Sequence, residues 1–170
     1  MAERDIPRAF RLAARAQGLV RVLGVIELLS VFAVAAAYIY TVAAAYLGDG
    51  IKRALMYIAV TAAPFILVCI MRRIINRKRP EEIYDFTAWG IPVSGKTGRS
   101  LPSRHTFSAF LIGSVILPGN SALGALVLLF AAYISVYRVI SARHFPSDVI
   151  LGAVLGILLG FFGAFSVTLV

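Results

Sequence analysis

Residues 22–47, Val22-LGVIELLSVFAVAAAYIYTVAAAY-Leu47, decide the fold, because Glu27 is the one charge in an otherwise apolar or hydroxyl-bearing run. Wound as an α-helix, the run rises about 39 Å and exceeds the ~30 Å hydrocarbon layer of a bilayer. The rest of the chain agrees. Of its 170 residues 60% are hydrophobic, and the mean hydropathy is +0.87, well above the ~45–50% apolar content of soluble domains. In lipid the backbone must satisfy its own hydrogen bonds, so apolar runs of this length are helices. The fold class expected is all-α, a polytopic transmembrane bundle, with residues 1–170 forming one membrane-embedded domain.

Outward from the first span, Gly48-Asp49-Gly50 makes a tight turn, and Ala54 to Met71 is a second span without charge, with Pro64 inside it. After a long polar segment, His105 to Leu117, Ser121 to Tyr137 and Val149 to Val170 read as three more, the first two joined by a Pro118-Gly119-Asn120 turn. Five spans result. Before them, residues 1–21 set Arg4, Arg8, Arg11, Arg15 and Arg21 among Ile6, Phe10, Ala13 and Ala14, the pattern of a basic amphipathic helix in the membrane interface. The apolar run that follows is too long for a cleavable signal peptide and has no small-residue cleavage site. Gly152, Gly156 and Gly160 recur every four residues, a groove for another helix, with a second copy of the chain as a possible homo-oligomeric partner.

The net charge of +9 points to anionic lipid head groups and a phosphorylated lipid substrate, with nucleic acid not expected. Two histidines and a single cysteine, Cys69, leave too few ligands for a histidine-rich or thiolate metal centre. No metal or cofactor is expected.

With five spans, the end of the second, the start of the third, the end of the fourth and the start of the fifth share one membrane face. That face receives Arg72 and Arg79, then Ser103, Arg104 and His105, then Arg138, and finally His144 and Asp148. Arg72 and Arg79 lie seven residues apart; on a continuous helix they point the same way with about 10 Å of rise between them. Guanidinium forks suit a tetrahedral oxyanion. Ser103 at a helix start offers a hydroxyl and free backbone N–H groups. Pro146 can occupy the first turn of the last helix, which lets Asp148 reach back to His144 and hold one ring nitrogen protonated while the other serves as nucleophile. Arg73, Arg77 and Lys78 read as head-group anchors. Glu27 reads as a residue that snorkels or pairs with an arginine.

These residues resemble the three-part signature of the type 2 phosphatidic acid phosphatase (PAP2) superfamily, KxxxxxxRP, PSGH and SRxxxxxHxxxD. Here the parts read RRIINRKRP (Arg72 to Pro80), PSRH (Pro102 to His105) and YRVISARHFPSD (Tyr137 to Asp148). The resemblance implies a small bacterial plasma-membrane lipid phosphatase working through a phosphohistidine. His144 would be the nucleophile, Asp148 its orienting carboxylate and His105 the proton donor, with Arg72, Arg79, Ser103, Arg104 and Arg138 on the phosphate. It departs from the pattern at Arg72 for lysine, Arg104 for glycine and Tyr137 for serine. Phosphatidylglycerophosphate, phosphatidate and undecaprenyl (pyro)phosphate are candidate substrates. A lipid head-group binder without turnover and a vanadate-dependent haloperoxidase-like enzyme are the alternatives. The amino-terminal arginines place the catalytic face on the cytoplasmic side.

Overall fold

The computed structural model describes residue 10, residues 17–86 and residues 94–169; the expected amphipathic helix over 1–21 lies mostly outside them. Among the described residues, six helices of stated bounds follow in order: α1 (Gln17–Asp49), α2 (Ile51–Ile75), α3 (Pro80–Ile83), α4 (Arg104–Ile116), α5 (Ser121–Ile140) and α6 (Pro146–Thr168). Four of these, α1, α2, α5 and α6, are long and apolar enough to cross a membrane. The chain is an integral membrane protein with an all-helical bundle fold.

The expected third span is present but short. α4 has 13 residues, about 20 Å of rise and short of the ~20 residues that cross a bilayer. It is a buried strut that carries the chain from the site's end of the bundle to the start of α5, packed chiefly on α6 and α5. Phe107, Leu111, Val115 and Ile116 on it are all but inaccessible. The outer helices show the reverse pattern, with Phe32, Ile39, Leu129, Phe162 and Phe165 exposed. In water so much exposed apolar surface would be unfavourable, whereas acyl chains cover it at no such cost.

Turn chemistry sets the hairpins. Gly50, at φ 87°, closes α1 onto α2, a left-handed conformation glycine adopts freely. Asn120 caps α5 by accepting a hydrogen bond from the Leu123 amide at 3.0 Å. Inter-helix polar contacts then fix register: the Tyr38 hydroxyl meets Thr61 at 2.6 Å, and Tyr133 donates to the Leu23 carbonyl at 2.8 Å.

The glycine stripe of α6 is used within the chain. A Cβ on Gly152 would stand 2.9 Å from the Ser103 carbonyl oxygen, on Gly156 2.6 Å from that of Phe107, and on Gly160 2.8 Å from that of Leu111. All three glycines are buried. The groove therefore holds α4, and the expectation that this face joins two copies is corrected: backbone already occupies it. This contact sets the distance between the starts of α4 and α6.

Candidate active site

His144 enters the site through a turn that backbone hydrogen bonds define. After α5 ends, the amides of Arg143 and His144 both donate to the Arg138 carbonyl, at 3.2 and 3.1 Å. Ala142 takes φ 55° to allow this, a conformation costly for a residue with a Cβ. Pro146 then starts α6 at its first position, where its missing N–H is no loss. As expected from the spacing, Asp148 folds back: its Oδ2 lies 3.5 Å from His144 Nδ1 and accepts the Phe145 amide at 3.0 Å.

Asp148 is fully buried and His144 nearly so, and a buried carboxylate needs partners. It has two that the sequence reading did not assign. Arg77 donates to Oδ1 at 2.8 Å and lies over the Phe145 ring, 4.5 Å from its centre. Ser100, itself buried, donates to Oδ2 at 2.5 Å and sits 3.4 Å from His144 Nδ1. With Nδ1 directed at Asp148 and Ser100, Nε2 is the ring nitrogen left for other chemistry. Burial pushes the His144 pKa below its ordinary value, against the pull of Asp148 and with help from Arg79 and Arg72. The ring is therefore neutral at pH 7 and has a free lone pair.

The arginines arrive by separate routes. Arg72 ends α2 and donates to the carbonyls of Ser100 and Pro102. The helix does not continue to Arg79, as the two-turn argument required. Asn76 caps it in the left-handed conformation, residues 76–79 are non-helical, and Arg79 instead precedes α3. From there Arg79 Nε reaches the Gly98 carbonyl at 3.1 Å and its Nη1 the Arg143 carbonyl at 3.3 Å. Gly98 has φ 58°, and a Cβ there would stand 2.3 Å from the Asn76 side-chain oxygen, so glycine is required beside that cap. Arg138, in the last turn of α5, pairs with Glu27 at 2.5 Å; its Nε is buried with no acceptor among the described residues.

Arg72, Arg79 and Arg138, together with Lys96, Arg104, Arg143, His105 and His144, line a cavity of about 70 Å³. His105 lies at the second position of α4, and burial, then Arg138 and Arg104, push its pKa down to about 3. A larger cavity of about 550 Å³, between Tyr40, Arg53, Tyr57 and Leu123, opens at the far end of the bundle, remote from both histidines. The chemistry-bearing groups converge on the small one.

Ser103 is not among the residues lining the small cavity. It is fully buried, its amide donates to the Asp148 carbonyl at 2.9 Å, and its hydroxyl accepts from Thr106 at 3.1 Å. The expectation of a free Ser103 N–H is thus corrected; that bond ties α4 to the first turn of α6. Tyr137 packs in an apolar cluster with Phe10 and Phe86, its hydroxyl faces Gly24 on α1, and it does not line the small cavity.

Comparisons with known proteins agree in kind. The PAP2 superfamily model matches residues 53–168. Over 63 residues, 37% of this chain, the sequence is 40% identical to the bacitracin transport permease protein BcrC of Bacillus licheniformis, and the match spans 31% of that relative's length. The solved structure of Aquifex aeolicus LpxE superimposes with a TM-score of 0.59 over 86% of this chain and 93% of that one, at 21% identity. At such identity the likeness is one of fold.

Proposed function

The chain belongs to the PAP2 superfamily, and we propose that it is an integral-membrane phosphatase that removes phosphate from a lipid through a phosphohistidine on His144. One observation carries the reading: a buried, neutral histidine backed by a carboxylate faces a cavity walled by a second histidine and three buried arginines. A cluster of cations with an orphaned guanidinium N–H is arranged for an anion.

In the proposed mechanism, His144 Nε2 attacks phosphorus as the bond to the lipid oxygen breaks, and His105 gives that oxygen a proton. Asp148 stabilises the positive charge that develops on the His144 ring. His105, now neutral, takes a proton from water as it attacks the phosphohistidine; phosphate leaves and His144 is regenerated. Arg72, Arg79 and Arg138 neutralise charge on the equatorial oxygens. Burial first, and then the neighbouring cations, hold the His105 pKa low; a phosphate dianion in the cavity offsets the cations and so favours the protonated ring.

Phosphatidylglycerophosphate, phosphatidate and undecaprenyl (pyro)phosphate remain the substrates proposed. The test is phosphate release from these purified lipids in detergent, by the wild-type chain and His144→Ala. Release that depends on His144 supports the reading; a wild-type chain that binds these lipids yet releases no phosphate refutes it in favour of head-group binding.

The catalytic face is proposed to be cytoplasmic. α1 begins on the same face as the site, as the Glu27–Arg138 pair requires, and Arg4, Arg8, Arg11 and Arg15 precede it. Lys78→Cys in a Cys69→Ser background would label from the cytoplasmic side; labelling from outside alone reverses the assignment.

A further inference from the structure

A second cavity, of about 450 Å³, adjoins the catalytic one. The two share Arg72, Arg79, Lys96 and Arg104, and the larger adds Arg73 and Arg99. Six cations thus border one space, and no carboxylate lines it among the described residues.

The nearby acids are already committed. Glu81 accepts from the Ser94 amide at 2.5 Å, and Glu82 from the amides of Arg79 and Gly98, each at 2.7 Å. These bonds pin both sides of the short segment that carries Lys96. Asp148 is held by Arg77 and Ser100.

The cations themselves divide into two groups. Arg72, Arg79 and Arg138 are buried and donate to backbone carbonyls or to Glu27. Arg73, Lys96, Arg99 and Arg104 are exposed, and their charged side-chain groups have no hydrogen bond or ion pair among the described residues. Four unpaired cations around a cavity that already holds Arg72 and Arg79 repel one another until an anion joins them. One phosphate in the smaller cavity does not reach Arg73 or Arg99, which border only the larger.

We propose that the larger cavity is a second anion subsite, and that the favoured substrate is a lipid diphosphate. This rests on the phosphatase reading above. The terminal phosphate occupies the catalytic cavity and the lipid-linked phosphate the subsite, with Arg104 and Lys96 between them. Attack by His144 breaks the bond from the terminal phosphorus to the bridging oxygen. That oxygen stays with the lipid phosphate, protonated by His105, and water then releases inorganic phosphate from His144. Charge moves onto the bridging oxygen as the bond breaks, where Arg104 and Lys96 meet it. A lipid monophosphate leaves Arg73 and Arg99 unsatisfied.

The test measures binding to the full chain in detergent at fixed ionic strength, with methylenediphosphonate against methylphosphonate as probes. Methylenediphosphonate is expected to bind at least about tenfold tighter, and an Arg73→Ala/Arg99→Ala double variant to narrow the ratio to within about threefold. Lys78→Ala, which removes an exposed cation that borders neither cavity, is expected to keep the wild-type ratio. Equal binding in the wild type, a preference that survives the double variant, or an equal loss in Lys78→Ala overturns the subsite. Turnover is a separate arm: farnesyl diphosphate and farnesyl phosphate are compared by kcat/KM. A diphosphate preference in binding with no phosphate release from either lipid keeps the subsite and sinks the phosphatase reading; release without preference does the opposite.

Discussion

Gly156→Ala adds one methyl group and should disable the site without touching it. The Cβ would stand 2.6 Å from the Phe107 carbonyl oxygen, 2.9 Å from the Phe110 Cβ and 3.0 Å from the Leu111 amide nitrogen. Two of these are backbone, so no rotamer change relieves them. Restoring an ordinary 3.4 Å contact requires α4 and α6 to part by about 0.8 Å, near the ~1 Å misplacement that costs an enzyme about 10²-fold. His105 rides on α4, whereas Asp148 sits in the first turn of α6, so the separation falls between the acid and the nucleophile. Overpacking of this kind destabilises by about 1–3 kcal/mol. The assay is phosphate release in detergent, with the thermal midpoint measured in the same micelles. Gly119→Ala is the control, because its Cβ would meet nothing closer than 3.5 Å. Wild-type turnover and midpoint in Gly156→Ala would refute the argument that the glycine groove sets the site's geometry.

Asp148→Asn should lower kcat by at least about 10³-fold, by analogy with carboxylate removal from a hydrolase triad, and abolish phosphohistidine trapped by acid quench; retained intermediate would exclude a positioning role. Ser100→Ala should cost about tenfold in kcat with little change in KM, since the hydroxyl supports Asp148 and is not expected to contact substrate. The depressed His144 pKa gives a pH signature in stability. The folded state binds its proton less readily than the unfolded chain, so this contribution is fully present above about pH 6.5 and is lost as pH falls from there through the folded pKa. The thermal midpoint should therefore drop below pH 6.5, less steeply in His144→Gln; identical slopes would deny the linkage. Glu27→Gln leaves Arg138 without its counter-charge and should cost about 3–5 kcal/mol, read as a lowered midpoint that Glu27→Asp partly restores.

The spans and the three motif segments were legible because each depends on a local regularity: an unbroken apolar run, or residues set at helix boundaries. Assigning them to one face needed only the parity of crossings, which survived the shortening of α4 because a buried strut still reverses the chain. Ser100 and Arg77 were not legible as partners of Asp148. Both lie in or beside a segment without period, and their contacts cross 48 and 71 positions of sequence. Arg79 was assigned to the site by a wrong route, since a helix stop at Asn76 carries no strong sequence mark when glycine is absent. The glycine stripe showed that a helix would pack there, but a sequence pattern carries no information on whether that helix belongs to the same chain.

Glu27 shows how the site extends beyond the matched region. The family match begins at residue 53, after α1 has ended at Asp49, yet α1 supplies the carboxylate that pairs with Arg138. Without it, a guanidinium at the end of a membrane-crossing helix would lie buried and uncompensated, a state costly enough to displace the side chain or the helix. With it, one N–H group is spent on Glu27 and Nε stays free, so Arg138 is held by one donor and can present another to a phosphate oxygen. The Tyr133 bond to the Leu23 carbonyl, 2.8 Å long, and the Tyr137 ring beside Gly24 lock α1 against α5 about one turn from that pair. A tyrosine in place of the usual serine before Arg138 thus contributes through packing: it seats the helix whose carboxylate holds the neighbouring arginine in place.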